Sequence, residues 1–167
     1  APGQEYADRF VEAVPGAKEC IAVTGNPRTD LFRPQFAGIF ADEVDALRKR
    51  FGRTILVCTN LGAWNSGYHP PGMVFYTVLE APGLDLESPR GLWTIDVYKG
   101  EVESEVRNWR ALHAALPTLA SNFSSHTIIL RPHPVENNET WSHLVPSSPN
   151  IVVSNAAGLV PQMLAAD

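Results

Sequence analysis

Three short runs in this chain are apolar without alternation: Ile55-Leu56-Val57-Cys58, Ile128-Ile129-Leu130 and Ile151-Val152-Val153. A strand with one wet face alternates apolar and polar residues. Runs that do not alternate must be covered on both faces, which is the mark of a parallel sheet in a layered α/β arrangement. The segments around them carry the other period. Phe36, Ile39, Phe40, Val44, Leu47 and Phe51 recur at threes and fours over residues 35 to 51, and Gly52 closes that helix. Val102, Val106, Trp109, Leu112 and Leu116 form a second stripe from about 101 to 120. A short helix is expected at 138 to 144, and "VPQMLAAD" begins another. Near the start, Tyr6, Phe10, Val11 and Val14 share one face of a helix, and "CIAVTGNP" (20 to 27) reads as a strand and turn. Residues 60 to 100 contain many Gly and Pro residues and carry only a short helical signal around "GMVFYTVLE". The fold class expected is α/β, a Rossmann-like parallel sheet with flanking helices.

Composition narrows the function classes. The chain has 167 residues, about one ordinary domain, and its 44% apolar content supports a sizeable core. The formal net charge is −5 and the one basic cluster, "RKR" at 48 to 50, ends a helical pattern where cations suit the dipole. Nucleic acid is therefore not an expected partner. Cys20 and Cys58 each sit in an apolar run with no CxxC spacing, so both are expected to be buried small hydrophobes. No apolar run approaches the ~18 residues of a membrane span and no signal peptide opens the chain, so a cytoplasmic location is expected.

The candidate site lies where the strands end. In open parallel sheets ligands bind beyond the carboxyl ends of the strands. The run at 20 to 24 ends in Gly25-Asn26-Pro27-Arg28, and the run at 54 to 58 ends in Thr59-Asn60 with Gly62 and Asn65 behind. The run at 126 to 130 ends in Arg131-Pro132-His133-Pro134, and that at 150 to 154 ends in Asn155-Ala156-Ala157-Gly158. Arg131 offers a charged fork suited to phosphate or carboxylate, and His133 can donate to a phosphate oxygen. Pro132 and Pro134 fix φ on both sides of the imidazole. The bland alternative is a histidine bonded to a nearby carbonyl in a rigid turn. Glu136 and Glu139 are expected to be solvated or to favour the start of the helix after His133, with acid or base work as the sharper alternative. His69, His113, His126 and His143 lack metal-ligand spacing, and neither a metal site nor a cofactor is expected.

With "VTGNPRTDLFRPQF", "ILVCTNLGAWN", "IILRPHPVENNETW" and "NIVVSNAAGLVPQMLAAD" in that order, the chain resembles bacterial surface carbohydrate biosynthesis proteins. These are relatives of glycosyltransferases with two Rossmann-like lobes, the GT-B architecture. The resemblance covers most of the chain except about 66 to 100. It implies that residues 1–30 are the tail of an N-terminal lobe, 31–53 a linker helix, and 54–167 the first half of a C-terminal Rossmann-like lobe. Asn26 and Arg28 would then lie where the chain leaves one lobe for the other. Thr59, Asn60 and Asn65 would face the cleft between them. Arg131, His133 and Pro134 would match the His-Pro segment of sialyl- and Kdo-transferases, in which the histidine meets the phosphate of a cytidine-linked donor.

The implied activity is sugar transfer in surface polysaccharide assembly, with His133 as the catalytic group. Its partners would be a nucleotide-sugar donor and a carbohydrate or lipid-linked acceptor, with peripheral membrane association of the full-length protein. A sugar-nucleotide 2-epimerase or a glycerophosphotransferase of the same layout is the alternative within enzymes. A non-catalytic nucleotide-binding module is the alternative outside them. The strand and Thr/Ser-rich turn that follow "LAAD" in the family, and most of the first lobe, are not in the sequence. A complete active site is therefore not expected in this piece alone, and an open sheet edge would favour self-association.

Overall fold

The computed structural model describes residues 2–68, 83, 85, 87–145 and 148–167, leaving aside the side chains of Pro27, Arg28 and Leu144. Three parallel strands, β1 (Thr54–Cys58), β2 (Thr127–Arg131) and β3 (Ile151–Val153), form one sheet in the order β1-β2-β3. Thr54 pairs with Thr127 and Cys58 with Arg131, while Ile128 pairs with Ile151 and Leu130 with Val153. The non-alternating runs are thus the strands, and the chain is α/β. Among the described residues no helix is long and apolar enough to cross a membrane.

Side chains alternate across a strand, so Val57, Leu130 and Val153 share one face. That face packs against Trp141, Trp109 and Leu112, with Leu61 closing the cluster. Trp109, Leu112 and the fully buried Leu116 belong to α4 (Pro89–Asn122), and Trp141 to α5 (Asn138–Leu144). The opposite face carries Thr54 and Arg131. Both bond to α6 (Leu159–Ala165) or the loop before it: Thr54 Oγ1 donates to Ala165 O at 3.4 Å, and Arg131 Nη1 to Ala157 O at 2.7 Å. On that side α6 meets α3 (Ala41–Phe51) through Val44, Leu47 and Ala165. Both faces of the sheet are covered, as non-alternating strands demand.

Local sequence explains the ends of these helices. Ser88 caps α4 by accepting from Gly91 N at 3.0 Å, with Pro89 in the first turn where a missing N–H costs nothing. Asn137 caps α5, its Oδ1 accepting from Glu139 N at 2.9 Å. Gly52 ends α3 at φ +68° and ψ −139°, a region open essentially to glycine. Asn150 Nδ2 gathers the carbonyls of Ala120, Phe123 and His126 and so ties the end of α4 to the start of β3.

Four expectations change. The run at 20 to 24 is not a strand. Residues Pro15–Cys20 wind into a 3-10 helix, and residues 21–26 then form neither helix nor strand, turning at Gly25 with φ +78°. The helix expected over 35 to 51 is a 3-10 stretch, Pro34–Phe40, before α3 proper. α4 begins about twelve residues earlier than its stripe, because the Ser88 cap initiates it. Cys20 and Cys58 are exposed, the first at the end of the 3-10 helix and the second at the end of β1, beside Arg131. The helical signal at "GMVFYTVLE" lies outside the described residues. α1 (Gln4–Ala13) forms as expected, with Tyr6 and Phe10 on an exposed face. The single turn α2 (Pro27–Asp30) follows Asn26.

Candidate functional site

Beyond the carboxyl ends of β1 and β2, two loops close against each other. Residues 61–68 and 133–137 meet in an antiparallel bridge between Ser66 and Glu136. Gly67 N donates to Val135 O at 2.7 Å, and Asn137 N to Asn65 O at 3.0 Å. Two glycines make this approach feasible. A Cβ on Gly62 would lie 2.7 Å from Val135 Cγ2, and one on Gly67 would lie 3.2 Å from Glu136 O. Asn65 is fully buried between the loops and its Nδ2 donates to Asn137 O at 3.1 Å.

Glu136 is the centre of this arrangement. It is 4% exposed, and its carboxylate accepts three hydrogen bonds. Oε1 takes Thr59 Oγ1 at 2.8 Å and His133 N at 2.9 Å, and Oε2 takes Trp141 Nε1 at 2.8 Å. A buried carboxylate is tolerated only when its oxygens are so occupied. The expectation of a solvated Glu136 is therefore corrected: the closing of the two loops removes it from water, and donors from Thr59 just after β1, the His133 turn and α5 replace that water. Glu139 is exposed in the first turn of α5.

His133 is exposed, and the same turn governs it. Glu136 N donates to its carbonyl at 2.8 Å, and Val135 N donates to its Nδ1 at 3.3 Å. With Nδ1 acting as acceptor, the neutral ring carries its proton on Nε2. Pro132 is fully buried, which anchors the turn on the strand side, while Pro134 is exposed. Arg131 points the other way. Its Nη1 bonds to Ala157 O and, at 2.6 Å, to Gln162 Oε1, bracing α6 against β2.

Thr59, Asn65, His133 and Pro134 thus come together around Glu136, but not all in a form that can touch a ligand. Asn65 is a staple between loops, and its buried amide does not reach solvent. Asn60 is exposed at the end of β1. Asn26 directly precedes α2, where its carbonyl accepts from Thr29 N and Oγ1. The side chain of Arg28 lies outside the described residues. A polar cavity of about 430 Å³ opens beside the His133 turn, lined by Gly67 and Tyr68 on one side and residues 134 and 136–139, Glu136 among them, on the other. Asn155 Nδ2 reaches Asn138 Oδ1 at 3.4 Å and brings the end of β3 to the same rim. A larger hollow of about 560 Å³ lies between α1 and residues 18–23, but no strand-end loop contributes to it. No cluster of three metal-ligating side chains occurs among the described residues.

Glu136 was legible only as a carboxylate near the turn. The signal that could have placed it is a glutamate three residues after the histidine and five before a tryptophan, following a strand whose neighbour ends in threonine.

A second carboxyl, Glu105 on α4, supports the 61–68 loop by accepting from Trp64 N at 2.8 Å. Trp64 stacks toward Trp109 at 4.9 Å, and Trp109 on His113 at 5.3 Å. Burial pushes the Glu105 carboxyl above its ordinary value of 4.5. The N–H groups of Trp64 and Ala63 oppose this, and the charges of Glu101 and Glu136 add to it. A carboxyl whose pKa is raised by folding binds its proton more tightly in the native state. Its contribution to stability is present below the ordinary value and lost as pH rises through the raised one. Glu105→Gln, which keeps an acceptor for Trp64 N, is expected to flatten this fall in stability. Urea unfolding on either side of the transition measures it; an unchanged slope would remove Glu105 as its source.

Compared with known proteins, no family model, no curated protein and no solved structure matches the chain.

Proposed function

We propose that the chain is part of a GT-B-like glycosyltransferase of surface polysaccharide assembly, and that its His133 turn receives the phosphate of a nucleotide-activated sugar. The observation that carries the reading is His133 itself. It is an exposed imidazole beyond the carboxyl end of a parallel strand, with Nδ1 held by Val135 N and Nε2 left to carry the proton. The motif resemblance supplies the cytidine-linked character of the donor. The polar cavity beside Pro134 offers amide and carboxylate groups of the kind that bind sugar hydroxyls.

In the proposed reaction an acceptor hydroxyl attacks the anomeric carbon of the donor and gives its proton to a carboxylate base of the full-length protein outside residues 1–167. The bond from that carbon to the phosphate oxygen breaks, and its electron pair stays on the phosphate. His133 Nε2–H donates to the phosphate as this charge develops, which is where a positioned donor lowers the barrier most. Loss of one such donor costs about 10²–10³ in rate. His133→Ala in the full-length protein is therefore expected to lower nucleotide release from a cytidine-linked sugar by that factor. The fold should be preserved, because the side chain is exposed. Undiminished release would end the assignment.

A second reading, a nucleotide-binding module without turnover, is favoured by one observation. Glu136, the carboxylate nearest His133 in sequence, has its oxygens occupied by three donors and is not presented as a base. Nucleotide affinity without sugar transfer by the full-length protein would select that reading.

A further inference from the structure

We infer that Glu136 is a positioning residue that sets the tautomer and direction of the His133 imidazole, a role that rests on reading His133 as the phosphate donor. Residue 133 is held at both of its backbone polar groups by residue 136. Its N–H donates to Glu136 Oε1 at 2.9 Å, and its carbonyl accepts from Glu136 N at 2.8 Å. The turn so formed brings Val135 N to 3.3 Å from His133 Nδ1, and this contact makes Nδ1 an acceptor. The carboxylate is itself immobile, because Trp141 is 1% exposed and holds Oε2 while Thr59 at the end of β1 shares Oε1. The path runs from the buried core through Glu136 to an exposed ring, and its product is one outward Nε2–H. An unrestrained imidazole would divide its proton between the two nitrogens and its orientation among rotamers, so fewer molecules would present the donor at any moment.

Removing the charge or shortening the side chain should release the turn without removing the histidine. Glu136→Gln places an amide N–H₂ where one of the three donors now points. Glu136→Asp keeps the charge but withdraws it by one methylene. The direct readout is the tautomer, from long-range ¹H–¹⁵N correlation spectra of histidine-labelled chain with no ligand present, about two pH units above the ordinary histidine value of ~6.5. In the native chain His133 should show a single Nε2–H form. In Glu136→Gln the Nδ1–H form should rise several-fold, while His113, stacked on Trp109, keeps its pattern and reports an intact fold. Should the glutamine variant unfold, Glu136→Asp decides by the same signal. A mixture of tautomers in the native chain, or the native pattern in a folded variant, would overturn the role. Adding cytidine monophosphate to the native chain then tests the donor reading separately. If the tautomer is fixed but His133 does not respond, the donor reading fails while the control by Glu136 stands.

Discussion

Trp141→Ala is expected to be the most damaging single substitution in the described part of the chain. The indole is 1% exposed, packs with Leu61 and Leu130 under the sheet, and donates to Glu136 Oε2 at 2.8 Å. Truncating a buried Trp to Ala typically costs about 3–5 kcal/mol through lost transfer energy and the cavity left behind. Here the loss also strips a buried carboxylate of one donor. Against a total stability of about 5–15 kcal/mol for a typical domain, such a change brings the chain close to unfolding. Equilibrium unfolding in urea measures it, and Trp141→Phe separates the two contributions. The phenyl ring keeps most of the packing and loses the N–H, so its cost should be about 1.5–3 kcal/mol, the range for a hydrogen bond to a charged group. A phenylalanine variant as stable as the native chain would show that the bond to Glu136 contributes nothing.

The second large effect is expected at Glu136→Ala. This change leaves Trp141 Nε1 without an acceptor in the core and Thr59 Oγ1 without one at the end of β1. His133 N is also released, but water can reach that exposed residue. Orphaning a buried donor costs about 1–3 kcal/mol, and Thr59 is only half-buried, so Trp141 should account for most of a total of about 2–4 kcal/mol. At about 2–4 °C per kcal/mol for a chain of this size, the thermal midpoint should fall by about 10 °C. The pair of substitutions provides its own control. Glu136→Gln and Trp141→Phe should be non-additive by about 0.5–3 kcal/mol in a double-mutant cycle, as residues sharing one hydrogen bond are. Additive effects would mean that the carboxylate and the indole act separately.

How much of this could be read in the sequence depended on how local the cause was. The three strands were legible because a run apolar on both faces has few alternatives, and α5 because its start and length are set within ten residues. The run from Cys20 to Thr24 shows the limit. Its composition suits a strand, but whether such a run joins a sheet is decided by distant segments, and the sheet of the described residues is β1-β2-β3, with residues 21–24 outside it. The start of α4 was present in Ser88-Pro89 but hidden by Gly91 and Gly100 and by the exposed Leu92 and Trp93, which break the apolar stripe. Cys58 sits in an apolar run, yet the exposed end of β1 is decided by how neighbouring loops close, not by composition.

The candidate site divides along the same line. His133 between two prolines is a local feature, and its exposure at a strand end followed from the strand. Glu136 is not local. Its burial arises only when residues 61–68 fold onto 133–137, an approach that Gly62 and Gly67 permit and no periodicity announces. Arg131 was legible as a cation at a strand mouth. Its bonds to Ala157 and Gln162 depend on where α6 lies, thirty residues onward.

The central claim is that the His133 turn receives a nucleotide-linked phosphate. The most direct measurement is titration of the isotopically labelled chain with cytidine monophosphate, following the His133 ring and, in parallel, the His133→Ala variant. The account predicts a saturable response at His133 and a loss of affinity of at least about tenfold in the variant, as expected for one hydrogen bond to a charged group. Equal affinity in the variant, or a His133 ring that does not respond while cytidine monophosphate binds elsewhere, would contradict it.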